Sequence, residues 1–215
     1  MYKIISGVIA LLFLMGIPAI GEEKKEEPKN LIDNPGFEES EPFTVPGEWK
    51  EKKKLVEATE LPKEVSINQI YPDPGKVSVV YAPETSHGGM KYINIEGYIG
   101  LMCGGNTRKC NPGEKYVFSV WAKGKGKLLL YFYLFNQRMY QPQAPKGNPC
   151  MSQAFDLSGD QWQECKWEVT IPEAKDAGKV DENADITSGI VRHFAVAYHI
   201  ENGTVDLDDA CLFKK

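Results

Sequence analysis

The chain has 215 residues, of which 42% are hydrophobic and 26% are charged, and its formal net charge is −5. This composition is that of an ordinary globular protein. The acidic balance argues against nucleic-acid binding, which needs a basic surface to displace counterions from phosphates. The 20 glycines and 14 prolines are many for a helical bundle and normal for a loop-rich β protein. No motif in the sequence points to an organic cofactor.

Residues 1–21 predict a secretory signal peptide. A short basic start precedes a mostly apolar run from Ile4 to Ile20, which ends in a small-residue exit at Gly21. A membrane anchor is the alternative, but the run is short for a bilayer span and is interrupted. We therefore expect an exported protein, secreted, periplasmic or at the cell surface, that is not integral to the membrane once the signal is cleaved. Residues 22–30 are dense in charge and predict a disordered tether, which leaves a single domain at 31–215.

Alternating apolar residues predict strands along most of this domain. Strands are predicted at 54–59, 76–81, 91–96, 98–103, 116–123, 127–135, 161–171 and 190–200, with turn residues at 72–75, 88–89, 111–113 and 201–203. In the two strands with the clearest alternation, the predicted core residues are Tyr116, Phe118, Val120 and Ala122, followed by Leu128, Leu130, Phe132 and Leu134. Many short strands and little helix predict an all-β fold, an antiparallel sandwich.

Five cysteines in an exported chain favour disulfides, with one thiol left over. The turn-forming residues between Cys103 and Cys110 predict a loop stapled by a bond between these two. A second bond is expected between Cys150 and Cys165, and a bond from Cys165 to Cys211 is the alternative. The spacings contain no Cys-x-x-Cys pair, which argues against a zinc site.

Four stretches of the chain form an ordered pattern: Asn30–Glu38, Ser86–Ile95, Gly113–Lys123 and Gly203–Leu212. Together they resemble the carbohydrate-binding modules that accompany xylanases and cellulases and have a galactose-binding-like jelly roll. The resemblance covers about residues 30–213, although this chain is longer than such modules near 60–76 and 136–152 and its cysteines are not part of the pattern. The resemblance implies a jelly-roll β-sandwich, a polysaccharide ligand, and a structural calcium where the first and last strands meet.

Adjacent carboxylates lie at a change of phase near the end of the chain. The apolar residues of the last strand switch faces at Asp208 and Asp209, which predicts a bulge that re-aims a carboxylate. Asp208, or Asp209 in its place, would then meet Glu38 and loop carbonyls in an all-oxygen set suited to calcium. The alternative is that these acids are solvated turn residues.

A sugar site needs exposed aromatic faces flanked by planar polar groups. Trp121, Tyr131 and Tyr133 all fall on the strand face opposite the predicted core, and the loop that follows carries further candidates: Gln137, Arg138 and Tyr140. We therefore predict one aromatic platform with an amide and a guanidinium at its edge. The alternative is that the two tyrosines are covered by the loop at 136–152.

The sequence contains no recognisable catalytic constellation. His193 and His199 share a strand face but lie about 20 Å apart along it, too far to share a metal ion. Neither a nucleophile elbow nor a zinc-protease helix motif occurs. We therefore expect a non-catalytic protein that captures polysaccharide or another glycan. The alternative is a cell-envelope, adhesion or assembly protein that uses the same sandwich for protein contacts, with an envelope partner or as a homodimer joined by the unpaired cysteine.

Overall fold

The structure is a computed structural model that describes residues 28–47, 56–70, 75–135, 150–173 and 191–215. Over these ranges the chain forms the strands β1 Ser40–Pro42, β2 Val56–Glu57, β3 Glu60–Pro62, β4 Val65–Ile70, β5 Gly75–Tyr81, β6 Lys91–Glu96, β7 Ile99–Lys109, β8 Lys115–Phe135, β9 Cys150–Thr170 and β10 His193–Lys214. The described residues include no helix of the length and apolarity that a membrane span requires. The predicted signal peptide and most of the predicted tether lie outside them.

Three long strands run through both layers of a β-sandwich. The first half of β10 pairs with β7 and its second half pairs with β6, while β8 follows β10 along both halves and β9 follows β8. One layer therefore has the order β2-β5-β6-β10-β8-β9 and the other the order β4-β7-β10-β8-β9. Apart from the parallel pair β2 and β5 these pairings are antiparallel, which confirms the predicted fold class.

The aromatic core shows that β8 folds over on itself. The ring centroids of Phe118 and Phe132 are 5.9 Å apart, although they belong to one strand. On a straight strand fourteen residues would separate them by roughly 46 Å. Tyr198 of β10 stacks on Phe118 at 5.4 Å and closes the core between the layers. The even-numbered residues of both halves of β8 thus face inward, as the alternation predicted, and the odd-numbered residues face outward on opposite sides of the molecule.

Glycines allow the strands to cross from one layer to the other. Gly124 has a φ of +119° and Gly203 a φ of +85°, which a residue with a side chain rarely adopts. A Cβ at Gly203 would overlap the carbonyl oxygen of Lys125, and one at Gly124 would overlap that of Thr204. We call this region, residues 123–127 with 201–204, the glycine corner.

The corner lies where the sequence predicted a break between two strands and a turn. The strands predicted at 116–123 and 127–135 are one continuous strand, and the turn predicted at 201–203 lies inside β10. The register between β8 and β10 shifts by one residue between Ile200 and Asn202, so the bend is made by a bulge. Gly, Asn and Lys are typical of hairpin turns and of strand bends alike, so the two could not be told apart by composition.

The five cysteines are free thiols in this structure, and none of the predicted pairs is bonded. Cys165 lies opposite the inward-facing Val120 of β8 and is buried, whereas Cys150 lies opposite the outward-facing Tyr133 and is exposed, so the two thiols point to different sides of the sheet. Cys103 lies opposite Val196 of β10, and the Cys110 N–H donates to the carbonyl of Arg192 just before that strand; the four-residue step between these partners spans roughly 13 Å. A disulfide needs Cα atoms within about 7 Å.

The alternative pair, Cys165 with Cys211, is also separated by the sheet. Cys165 lies opposite Val120 of β8, and Cys211 lies opposite the neighbouring residue Ser119 from the other side. The two cysteines therefore flank β8 on different strands and point to different faces. Burial raises the pKa of the Cys165 thiol to about 12, which keeps this core thiol protonated and unreactive.

The corner predicts a selective loss of stability. Gly203→Ala should lower the free energy of unfolding by about 2 kcal/mol or more, because the added methyl group meets a backbone carbonyl at a positive φ. Gly159→Ala, on the facing part of β9, is the control, since nothing lies within 4 Å of its added Cβ. Urea unfolding would measure both. Equal, small effects of about 0.5 kcal/mol would contradict the role given to the corner.

Candidate functional site

The loop between β5 and β6 is packed against the outer face of the first layer. The imidazole of His87 stacks on the indole of Trp121, with centroids 3.8 Å apart and planes 15° from parallel. Trp162 of β9 meets the edges of both His87 and Tyr92 at 6.1 and 5.8 Å. Trp121, predicted as a sugar platform, therefore has a ring face covered by this loop.

The loop main chain is held by side chains from two strands, β8 and β9. The carbonyl oxygen of Thr85 accepts hydrogen bonds from Lys123 Nζ at 3.0 Å and from Trp162 Nε1 at 2.9 Å. The Lys123 ammonium also lies 4.4 Å from the centroid of the Trp162 ring, a cation–π arrangement. These contacts fix the loop from the outer side.

Carboxylates hold the same loop from the inner side. Asp208 Oδ2 accepts hydrogen bonds from the backbone N–H groups of His87 at 2.9 Å and Gly88 at 3.1 Å, and Asp208 Oδ1 accepts one from Asp209 N–H at 2.8 Å. Glu38 Oε1 accepts two more, from Met90 and Lys91. The acids near the end of the chain thus act as loop clamps.

The predicted bulge explains how Asp208 reaches this position. The register between β10 and β8 shifts between Asp208 and Cys211, and Asp209 has a φ of +45°, so the change of phase inferred from the sequence is confirmed. Asp208 is fully buried, and this burial raises the pKa of its carboxyl to about 6 against the effect of its N–H partners. The Asp209 carboxylate meets His87 Nδ1 at 2.6 Å.

Glu38, Asp208 and Asp209 all reach one loop, where Glu38 and Asp208 accept backbone N–H groups and Asp209 meets His87. Within the described ranges, no three His, Cys, Asp or Glu side chains are gathered so that they could hold a metal ion. Calcium binding stays a prediction from the resemblance.

The clamp has a testable consequence. Asp208→Ala should lower the free energy of unfolding by about 2–3 kcal/mol, because it removes the buried acceptor of the His87 and Gly88 N–H groups. Thermal unfolding in calcium and in EDTA should show the same loss. The control is Glu84→Ala, an exposed carboxylate of the same loop. A rise in melting temperature with calcium that Asp208→Ala removes would instead establish the predicted calcium site.

A second aromatic cluster lies on the outer face of the other layer. Tyr131 and Tyr133 stand side by side on β8 with ring centroids 5.7 Å apart and planes 12° from parallel. The Tyr131 ring also packs on His199 of β10 at 4.3 Å, and the Tyr133 hydroxyl lies 2.8 Å from His199 Nε2. Both tyrosines are half-buried, and Ser152 lies directly opposite Tyr131 on β9. We call these four residues the tyrosine face.

The tyrosine face is uncharged at neutral pH. Burial lowers the pKa of His199 to about 4, so its imidazole stays neutral while it contacts the Tyr133 hydroxyl. Burial also raises the pKa of the Tyr131 hydroxyl. A neutral histidine and two protonated phenols offer hydrogen bonds and apolar ring edges without a net charge.

His199 predicts an acid-dependent stability. The unfolded chain binds a proton at this histidine near pH 6.5 and the folded chain only near pH 4, so acidification between these values favours unfolding. The wild type should lose about 3 kcal/mol relative to His199→Asn over this range. Parallel urea titrations at several pH values measure the difference. A His199 ring that titrates near pH 6.5 by NMR would contradict it.

The single aromatic platform expected from the sequence does not form. Trp121 and the pair Tyr131 and Tyr133 are all odd-numbered residues of β8, but the glycine corner places them on opposite outer faces of the sandwich. Three further candidates lie outside the described residues: Gln137, Arg138 and Tyr140.

Sequence reasoning missed the residues that complete each cluster. His199, on β10, lies opposite Leu129 of the neighbouring strand β8, and this position brings its ring against Tyr131. Only the register between the two strands reveals this contact. His87, Tyr92 and Trp162 join Trp121 through a loop contact of the same kind. For His199, Tyr92 and Trp162, which lie on strands, the available signal was that each falls in the outward-facing phase of its strand.

Comparisons with known proteins add similarity of fold only. No protein-family model and no curated protein matches the chain. A domain of tailspike protein 4 from bacteriophage CBA120 matches 71% of this chain with a TM-score of 0.48 and 9% identity. An arabinose-bound α-L-arabinofuranosidase, MgGH51, matches 86% with a TM-score of 0.49 and 12% identity. The match spans 20% and 26% of those two chains.

Several similar structures are carbohydrate-binding modules. TmCBM61, solved with β-1,4-galactotriose, matches 87% of this chain and 99% of its own, with a TM-score of 0.41 and 15% identity. Modules of the CBM4, CBM6, CBM16 and CBM22 types are among the others. The function is argued from the contacts of this chain itself.

Proposed function

We propose that this chain is an exported, non-catalytic carbohydrate-binding protein and that polysaccharide binds at the tyrosine face. The observation that carries the proposal is the pair of half-exposed parallel rings of Tyr131 and Tyr133, supported from beneath by His199. Aromatic rings pack against the C–H faces of pyranose rings, and phenol and hydroxyl groups bond their hydroxyls.

The electrostatics of the face favour a neutral glycan. His199 is uncharged at neutral pH, and Lys127 and Glu201 form an ion pair at 3.0 Å whose charges balance. The exposed hydroxyl of Ser152 adds a polar group beside Tyr131. This mixture of apolar rings and neutral hydrogen-bonding groups suits a sugar better than a charged peptide or nucleic acid.

Binding without catalysis is supported by what the acids and histidines do. Asp208 and Glu38 are engaged by backbone N–H groups of the loop, and His199 is buried beneath Tyr131 and Tyr133. Trp121 is left out of the proposed glycan face because it supports His87.

Affinity electrophoresis of the purified protein tests the proposal. Gels would contain xylan, mixed-linkage glucan, mannan or pectin, and at least one polymer should retard the wild type. Tyr131→Ala and Tyr133→Ala should each weaken binding roughly tenfold, since one ring contact contributes about 1.5 kcal/mol. Tyr81→Ala is the matched control, because this tyrosine is 66% exposed and lies away from the face.

Trp121→Ala separates the two clusters. It should lower the melting temperature through the loss of the His87 contact while leaving retardation in place. Retardation lost in Trp121→Ala but kept in both tyrosine variants would contradict the proposed face. Unretarded migration of the wild type in every gel would contradict carbohydrate binding and favour the assembly alternative, for which migration as a dimer on a non-reducing gel is the next measurement.

A further inference from the structure

A polar groove opens at the glycine corner on the outer face of the first layer, away from the tyrosine face. Its volume is about 470 Å³, which falls within the usual range of about 300–1,000 Å³ for small-ligand sites. The lining consists of polar side chains from four strands and of backbone at two glycines: Asn94, Gly124, Lys125, Asp160, Gly203, Thr204 and Asp206.

The base of the groove is a fixed pair of polar groups. Asn94 Nδ2 donates a hydrogen bond of 2.7 Å to Asp206 Oδ1, and Lys123 Nζ lies 3.7 Å from Asp206 Oδ2. The Lys123 and Asp206 side chains are only 13% and 17% exposed. Lys123 also donates a hydrogen bond to the Thr85 carbonyl in the loop between β5 and β6, so Lys123 links the Asp206 carboxylate to that loop. A ligand would therefore meet hydrogen-bonding groups that are already oriented.

The corner leaves space above this pair. Gly124 and Gly203 have no side chains because the two strands approach too closely there, and both glycines line the groove. Its rim carries the exposed hydroxyl of Thr204.

The charges and donors of the groove match a neutral polyhydroxylated ligand. The cations Lys123 and Lys125 are balanced by the carboxylates Asp160 and Asp206, so no net charge selects an anion or a cation. A carboxylate accepts hydrogen bonds from sugar hydroxyls, and an amide both donates and accepts. Adjacent hydroxyls of one sugar ring can satisfy such a pair together.

We propose that this corner groove is a second carbohydrate-binding site, which takes a neutral sugar residue on the face of the sandwich opposite Tyr131 and Tyr133. The proposal rests on the proposed function for the class of ligand but uses none of its residues. With sites on both outer faces, one molecule would hold two glycan chains.

NMR titration of the ¹⁵N-labelled full-length protein tests the groove directly. The probes are xylohexaose, cellohexaose and mannohexaose, with hexagalacturonate as the charged comparison. A neutral probe should shift the side-chain amide of Asn94 and the backbone amides of Gly124 and Gly203. In Tyr131→Ala these shifts should persist with an unchanged Kd, because the two sites lie on opposite faces.

Two variants of the groove base complete the test. Asn94→Ala and Asp206→Asn should each weaken binding at the groove about tenfold, as expected for the loss of one good hydrogen-bonding group. Asn111→Ala, in the turn before β8, is the matched control and should bind like the wild type. Unchanged melting temperatures and amide spectra confirm that the variants are folded, and Asp206→Asn preserves the shape of the side chain if Asn94→Ala is unstable.

The outcomes separate this site from the proposed function. If neutral probes shift only residues around Tyr131 and Tyr133, the groove is overturned while the function stands. If only hexagalacturonate shifts Asn94, or if groove shifts vanish in Tyr131→Ala, the independent neutral-sugar site is likewise overturned. If no probe shifts any signal, both proposals fail. The groove site is established if a neutral probe shifts the groove signals in Tyr131→Ala as in the wild type, and if Asn94→Ala or Asp206→Asn weakens binding of that probe at the groove.

Discussion

The fold depends on three strands that bend together without ending. β8, β9 and β10 each cross from one layer to the other, and β8 and β10 do so where Gly124 and Gly203 adopt positive φ values. A side chain at either glycine would overlap a carbonyl of the neighbouring strand. This close backbone approach brings Phe118 over Phe132 and so creates the core between the layers.

The same bend decides what the two outer faces can do. It turns one stripe of odd-numbered residues on β8 into two surfaces, with Trp121 on the first and Tyr131 and Tyr133 on the second. On the first face the aromatic rings are used to hold a loop, since His87 covers Trp121. On the second face the tyrosines stay half-exposed, and this difference makes them the better candidates for a glycan.

Burial sets the roles of the ionisable groups. Asp208 is fully buried, and its carboxyl has a pKa of about 6 even though it accepts N–H groups, so it is costly to keep charged and is best explained as a loop clamp. His199 is held neutral by the same effect beneath the tyrosines. By contrast, Asp206 keeps contact with Lys123 and with solvent, so its carboxylate can serve a ligand.

The sequence by itself determined the fold class, the inward phase of β8 and the bulge at Asp208. These follow from alternation, which depends only on neighbours along the chain. It did not determine that 116–135 is one strand, that the cysteines stay apart, or that His199 joins Tyr131 and His87 joins Trp121. Those facts depend on which strands pair and in what register. Register is a property of contacts between distant residues, and only the tertiary structure decides it.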